Sequence, residues 1–346
     1  MSNYKDRERQ YLRLIEQTPL PSNTQDDIRG FIQSMSFSLS ALSRYQYLLD
    51  IVNFLEYLDN PTLEDLAHLK LKDFENYLCY LQDHETEDGT RTSNCNISLK
   101  KRLSSIRKFF DYLARNYEDN DELQAAFTNT GKVILPKRAK RRLITYMDKS
   151  EVQDFRSEII NASSLSPRQQ KFHEYTKERD LAICDLMLST GLRLSEVSNL
   201  DLKDINMRDK NLVCIRKGGF PDIIYFSDDA AESLEAYLLI REERFISESS
   251  TEQDKKALFI SNNGHRMSDK AIRNMIEKYA GNSVPNKHIT PHKLRATFAT
   301  ALYAETRDVY AVATALGHRQ VETTKEYYAH ISEDIKKENR NKVDWD

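Results

Sequence analysis

A chain of 346 residues is long enough for two domains that each bury a core, and its net charge of −3 excludes a uniformly basic nucleic-acid binder. Cys79, Cys95, Cys184 and Cys214 are scattered, with no C-x-x-C pair and no zinc-ligand spacing, which excludes a disulfide framework or zinc module and predicts reduced thiols in an intracellular protein. No run of about 18 apolar residues occurs and the charged start MSNYKDRERQYLRL has no apolar core, so neither a membrane span nor export is expected.

Residues 1–35 read as a polar helical arm. From Ser38, the three- and four-residue spacing of Leu42, Tyr45, Leu48, Leu49, Val52, Phe54, Leu55 and Leu58 predicts a helix. Asn60-Pro61 ends it, and Thr62 is placed to cap the next segment. A second helix from about Leu71 to Leu81 turns Phe74, Tyr77, Leu78 and Leu81 inward. After a polar loop from Asp83 to Asn96, a third runs from about Ser98 to Asn116. Its core stripe is Leu99, Leu103, Ile106, Phe109, Phe110 and Leu113, and Lys100, Lys101, Arg107 and Lys108 lie off that stripe. Residues 36–130 are therefore assigned to a helical domain with a basic outer face.

The basic residues are concentrated. Between Arg91 and Arg115 there are seven Lys or Arg against Asp111 alone, and between Lys132 and Arg142 there are six with no acid. A charge run is usually a solvated face, but two such blocks at a domain junction favour a DNA track. Residues 131–145, with Lys137, Arg138, Lys140, Arg141 and Arg142, form the expected linker, basic and interrupted by one proline.

The C-terminal domain, residues 146–346, opens with a helix capped by Asp148 or Ser150 and running to about Ile160. A long helix follows from about Glu178 to Ser189, burying Leu181, Cys184, Met187 and Leu188. It stops at Gly191, with Arg193 just beyond. Asn211 to Ile215 and Ile223 to Phe226 read as strands joined by a Lys217-Gly218-Gly219 turn, whose glycines permit positive φ. Ser268 caps a helix to about Tyr279. Another begins near Thr290 with Pro291 in its first turn, and His292 and Arg295, three apart, share a face. Leu316-Gly317-His318 reads as a helix end, a glycine turn and a histidine just past it, followed by Thr323, Thr324, Tyr327, Tyr328 and His330.

The order H-x-L-R, L-G-H, T-T, Y-x-H in residues 289–331 resembles the catalytic domain of tyrosine recombinases, the phage-integrase and Xer class. Thr190-Gly191-Leu192-Arg193 resembles that family's first arginine motif and Arg216-Lys217-Gly218-Gly219 its lysine loop. The N-terminal half resembles the family's core-binding domain in helix pattern and order. The resemblance implies a mainly α fold with a small β-hairpin or sheet in the catalytic domain, arranged as a two-domain C-shaped DNA clamp of a helical, SAM-like core-binding domain and a mixed α/β catalytic domain. The chain departs from the family at Ala296, where a second histidine is common, in the absent glycine near Ala304 to Arg307, and in the segment from Glu118 to Val133, which lacks the usual Asn-Pro turn.

Phosphodiester cleavage needs a nucleophile, neutralisation of the non-bridging oxygens and a proton for the leaving oxygen. These motifs offer guanidinium, imidazole, ammonium and phenol rather than carboxylates holding a metal, so metal-free and cofactor-free transfer to a side chain is expected. Arg193 and Arg295 suit bidentate phosphate binding. Tyrosine, with a pKa of about 10, needs a neighbour to take its proton, and His292 is the candidate base. Lys217 is the candidate acid for the leaving 5′-hydroxyl, a role the resemblance also implies, and His318 the candidate donor to the scissile phosphate. Tyr328 is favoured as nucleophile because it completes Y-x-H with His330, and Tyr327 remains the alternative. Each residue alone has a plain structural reading, Arg193 for instance as the partner of Glu196 one turn on.

The resemblance implies a site-specific recombinase forming a 3′-phosphotyrosyl intermediate, to integrate or excise a mobile element or resolve DNA dimers. It further implies a homotetramer on two double-stranded DNA sites, an accessory DNA-bending protein, and a cytoplasmic, nucleoid-associated enzyme. Type IB topoisomerase-like relaxation and a non-catalytic DNA-binding protein are the competing classes. Trp345, the one tryptophan, is expected to anchor the polar tail on an adjacent protomer or to end a frayed terminus.

Overall fold

The computed structural model describes residues 2–82, 84–85, 91–92, 96–135, 145–162, 166–216 and 219–317. The chain divides into two compact units, Met1–Arg142 and Leu143–Asp346. Among the described residues no helix is long and apolar enough to cross a membrane.

In the first unit, α1 (Ser2–Gln17) is followed by α2 (Gln25–Ser34), α3 (Ala41–Tyr57) and α4 (Leu63–Ala67). Then come α5 (Leu71–Gln82), a short antiparallel pair β1 (His84–Glu85) and β2 (Arg91–Thr92), α6 (Asn96–Asn116) and α7 (Asp121–Lys132). Residues 1–35 are thus not one arm: α2 sends Ile28, Phe31 and Ile32 into the core, and Phe31 meets the edge of Phe109 at 5.3 Å between ring centroids. Those three residues at i, i+3 and i+4 are an apolar face inside an otherwise polar stretch. α1 also engages this unit, because Glu8 accepts a 2.7 Å hydrogen bond from the Ala41 N–H at the start of α3.

Most of the expected inward faces are buried, including Leu48, Val52, Phe54 and Leu55 of α3 and the set Phe74, Tyr77, Leu78 and Leu81 of α5. Leu42 is a correction: in the first turn of α3 it faces solvent. Aromatic edges close the centre, with Phe54 against Tyr77 at 5.0 Å and Phe74 against Phe110 at 5.3 Å. Thr62 does cap α4, in a reciprocal pair with Asp65. The loop expected from Asp83 to Asn96 instead contains β1 and β2. α7 was not assigned from sequence, because it buries Leu123 together with small or polar Ala126 and Thr130, which leave little apolar periodicity.

The second unit contains α8 (Lys149–Asn161), α9 (Pro167–Thr190) and α10 (Leu194–Asn199). A three-stranded antiparallel sheet follows, β3 (Ile205–Asn206), β4 (Asn211–Ile215) and β5 (Pro221–Tyr225), in that spatial order with Val213 opposite Ile223. The helices α11 (Asp228–Phe245), α12 (Glu252–Lys256), α13 (Asp269–Ser283), α14 (Pro291–Thr306) and α15 (Val309–Leu316) complete it. Asp148 rather than Ser150 caps α8, accepting from the Glu151 N–H at 3.0 Å, and Ser268 caps α13.

The central element is α9, which packs on α8, α11 and α14. It is 24 residues long, about twice the expected span, and Leu181 and Leu188 are only half-buried. The missed half is helical because Pro167 sits at its first turn and Gln169 accepts from the Ser166 N–H at 3.0 Å. It escapes a hydrophobic-period reading because it buries polar groups: Arg179 binds Asp180 at 2.7 Å and the Ile260 carbonyl at 3.0 Å, and Tyr279 donates to Asp180 at 3.0 Å. Such burial is tolerable only because each charge is paired and hydrogen-bonded.

α9 ends at Gly191, whose φ of 61° is left-handed. A Cβ there would lie 2.4 Å from Phe298 Cδ1 and 3.0 Å from Leu316 Cδ2, so both conformation and space require glycine. Gly191→Ala is expected to destabilise this unit by about 2–4 kcal/mol, from left-handed strain plus overpacking. Denaturant unfolding measures it, and an unchanged midpoint would refute the tight contact.

Candidate active site

Three of the expected catalytic residues are described: Arg193 at the start of α10, and His292 and Arg295 in the first turns of α14. After Gly191, Leu192 is fully buried and pins the turn, and Arg193 follows as the residue before α10. Glu196, one turn into α10, holds that arginine twice: its Oε2 accepts from the Arg193 N–H at 2.8 Å and its Oε1 from Arg193 Nη1 at 2.8 Å. Arg193 keeps 33% of its side chain exposed while Glu196 keeps 5%, so the acid anchors and the guanidinium faces outward. The ion pair that a purely structural reading of Arg193 anticipates is therefore present.

α14 starts at Thr290 with Pro291 at its first position, as its sequence predicts. His292 is exposed, whereas Arg295, one turn on, is buried. Arg295 Nη1 donates to the Gly191 carbonyl at 2.5 Å and Nη2 to the Leu316 carbonyl at 2.6 Å. Both acceptors lie at helix C-termini, of α9 and α15, where carbonyls lack intrahelical partners and the helix dipole is negative. Burial of a charge is offset there by two charge-assisted bonds.

Arg193, His292 and Arg295 line one open cleft of about 500 Å³, whose other wall is the α13 face bearing Asp269, Arg273 and Glu277. Partial desolvation lowers the His292 pKa from its ordinary value, and the charges of Arg295, Lys293 and Arg193 push it the same way. The imidazole is accordingly biased toward its neutral, proton-accepting form. Cys214 is buried on β4 of the hairpin, where burial pushes its thiol up to about 12, so it is no nucleophile near neutral pH.

Lys217, His318, Tyr327, Tyr328 and the tail with Trp345 lie outside the described residues, but Arg216 and Gly219 on either side of the lysine loop and Gly317 before His318 are described. The β4–β5 turn is closed by Gly219 N–H to the Arg216 carbonyl at 3.0 Å, with Ile215 opposite Pro221. The strand after the turn starts at Pro221 rather than Ile223. α15 ends at Gly317, with a φ of 61°, as its sequence predicts. Arg216, the first residue of the lysine-loop motif but given no role from sequence, joins these two places by donating from Nη2 to the Ala315 carbonyl at 3.0 Å. Its contacts span 20 and 99 residues of sequence, so no local pattern could reveal them. Arg273 and Asp269 were likewise not anticipated, since they reach the cleft only through the placement of α13.

In the N-terminal unit, Lys100, Lys101, Arg107 and Lys108 are all exposed on α6. At about 100° per residue they share one side of the helix, opposite Ile106, Phe109 and Leu113. Lys101 is steadied by Gln46 at 2.9 Å, and Lys108 lies 5.0 Å from the Tyr47 ring centroid. Lys137, Arg138, Lys140, Arg141 and Arg142 lie outside the described residues.

Two family models match the chain, the phage integrase family over residues 146–334 and the phage integrase N-terminal SAM-like domain over residues 28–116. The chain is 30% identical over 335 residues to the tyrosine recombinase XerS of Streptococcus uberis, covering 90% of this chain and 92% of the relative. It is 30% identical over 318 residues to XerS of Streptococcus pyogenes, covering 85% and 88%. Among solved structures, the XerH recombinase bound to a palindromic difH substrate aligns with a TM-score of 0.64 at 17% identity, over 86% of this chain and 80% of that one. The Tn1549 transposon integrase on transposon right-end DNA aligns at 0.60 and 16% identity, over 92% and 99%. These structural likenesses show the two-domain fold, and the family models with the full-length relatives show more: the chain belongs to the phage integrase family of tyrosine recombinases, the enzymes of site-specific DNA recombination.

Proposed function

We propose that this recombinase cleaves and rejoins duplex DNA through a 3′-phosphotyrosyl intermediate, with Arg193, Lys217, His292, Arg295, His318 and Tyr328 as its catalytic set and Tyr327 as the alternative nucleophile. The observation that carries the reading is the convergence of Arg193, His292 and Arg295, from two distant stretches of sequence, on one cleft. Tyrosine Oη attacks the scissile phosphorus, the P–O5′ bond breaks, and a 5′-hydroxyl leaves. His292 takes the phenolic proton and Lys217 supplies one to the leaving oxygen. The two arginines and His318 stabilise the charge that builds on the non-bridging oxygens. Attack by a different 5′-hydroxyl reverses the step on a new partner strand, so no ATP, metal or cofactor is consumed.

The substrates in this reading are double-stranded recombination sites, bound through the basic face of α6 and the basic linker, with a homotetramer pairing two sites. Integration or excision of a mobile element and resolution of DNA dimers both use this chemistry, with or without a DNA-bending accessory. The relatives carrying the name XerS and the DNA-bound XerH structure support a DNA-site-specific role, and a cytoplasmic, nucleoid-associated location follows from it.

The chain expressed in cells carrying its native genomic context and purified under denaturing conditions should retain covalently attached DNA, at one recurrent sequence, on Tyr328. Tyr328→Phe should abolish the adduct, and Arg193→Ala or Arg295→Ala should slow its formation by about 10³-fold or more. Adducts scattered over the genome would point to topoisomerase-like relaxation, and no adduct at all would leave a non-catalytic DNA-binding protein. The lowered His292 pKa sets a second expectation. The base acts when neutral, so activity falls as pH drops through its pKa; at sub-saturating DNA, where the free enzyme's groups are reported, that acid limb should lie below pH about 6.5. A limb above that value, or one unchanged in His292→Gln, would remove His292 from the role.

A further inference from the structure

Arg216 is 8% exposed and follows directly on β4. A guanidinium that deep must be paired, and its bonds run to three different elements. Nη1 meets Glu196 Oε2 at 3.1 Å, Nε meets Asp222 Oδ2 on β5 at 3.0 Å, and Nη2 meets the Ala315 carbonyl at the end of α15 at 3.0 Å. Its backbone also joins the two sides of the β4–β5 connection, donating to the Phe220 carbonyl at 2.9 Å and accepting from the Gly219 N–H at 3.0 Å. Gly317 leaves room for it: a Cβ there would sit 2.8 Å from Arg216 Nε.

We propose that Arg216 is a positioning residue for the cleavage step, acting through Glu196 on Arg193. The inference rests on the recombinase reading above. Glu196 is shared between two guanidiniums, with Oε1 on Arg193 Nη1 and Oε2 on Arg216 Nη1 and the Arg193 N–H. With Arg216 gone, the buried carboxylate loses one of its two cations and the bond that ties it to the end of β4. Among the described residues it keeps only its two bonds to Arg193 itself, so carboxylate and guanidinium can shift together and carry Arg193 off the phosphate. The Ala315 carbonyl loses its donor at the same time, one residue before the carbonyl held by Arg295. Lysine at this position retains the charge but cannot reach all three acceptors, because its donors radiate from one nitrogen rather than from a planar fork.

The test uses the full chain and a duplex carrying the recovered cleavage sequence, nicked close to the scissile phosphate so that the short leaving fragment diffuses away and the adduct accumulates. A matched duplex carries a neutral methylphosphonate at the scissile position. Arg193 neutralises charge on the ordinary phosphate and has far less to do on the neutral one, so a defect that acts through Arg193 must shrink on the second substrate. At saturating protein, Arg216→Met and Arg216→Lys should slow adduct formation on the phosphodiester by about 10²-fold, the scale of a misplacement of about 1 Å. On the methylphosphonate the slowing should be at least tenfold smaller, with DNA affinity unchanged on both. Glu196→Gln should show the same dependence on substrate, and it decides the matter if Arg216→Met does not fold. Equal slowing on the two substrates, or wild-type rates on both, overturns the positioning role while leaving the recombinase reading intact. A wild-type chain that forms no adduct overturns that reading and this inference with it.

Discussion

The second unit depends on one buried guanidinium. The C-terminal ends of α9 and α15 point at the same place, and two helix C-termini brought together present partial negative charge and unsatisfied carbonyls to each other. Arg295 lies between them and donates to Gly191 and Leu316, turning a repulsive junction into a bonded one. Gly191 and Gly317 make the approach possible, since each takes a left-handed φ and neither has space for a side chain. The cation proposed for catalysis is in this sense also a structural one, and its charge reaches the cleft wall at a point set by two helix ends.

A second tier of charge pairing extends from this junction. Glu196 collects Arg193 and Arg216, and Arg216 ties in β5 and α15. The pairs are unequal in exposure: Glu196 and Arg216 are buried, while Arg193 keeps a third of its side chain in the open cleft. Buried members lose little freedom when a ligand arrives and so hold the exposed one in a fixed geometry, the arrangement that electrostatic preorganisation requires. The Arg179, Asp180 and Tyr279 cluster elsewhere on α9 uses the same chemistry without an opening to the cleft, and there it only holds α9 to the segment around Ile260 and to α13.

The first unit separates its functions by helix face. Phe31, Phe54, Phe74, Phe109 and Phe110 make an aromatic centre, and α6 contributes to that centre on one side and presents Lys100, Lys101, Arg107 and Lys108 on the other. A net charge of −3 is compatible with a phosphate-binding surface because Coulomb attraction is screened beyond about 8–10 Å, so the local density of cations counts for more than their sum.

Much of this was legible in the sequence wherever the determinant is local. Periodicity located α3, α5 and α6 and most of their buried faces. Cap residues located the starts of α4, α8, α13 and α14, and glycine located the ends of α9 and α15. The motifs of the second unit named Arg193, His292 and Arg295, which share a cleft. Where the buried partner is polar or small, the pattern failed: half of α9, the whole of α7 and the core role of α2 were missed, since hydrophobic periodicity does not register Thr130, Asp180 or a short apolar face in a charged run. What only the tertiary structure decided is which groups hold Arg193 and Arg295 in place. That Arg295 bridges two helix ends, that Glu196 serves two arginines and that Arg216 reaches Ala315 are contacts across tens to more than a hundred residues. No short-range spacing encodes them, because they follow from how whole helices pack rather than from any one helix.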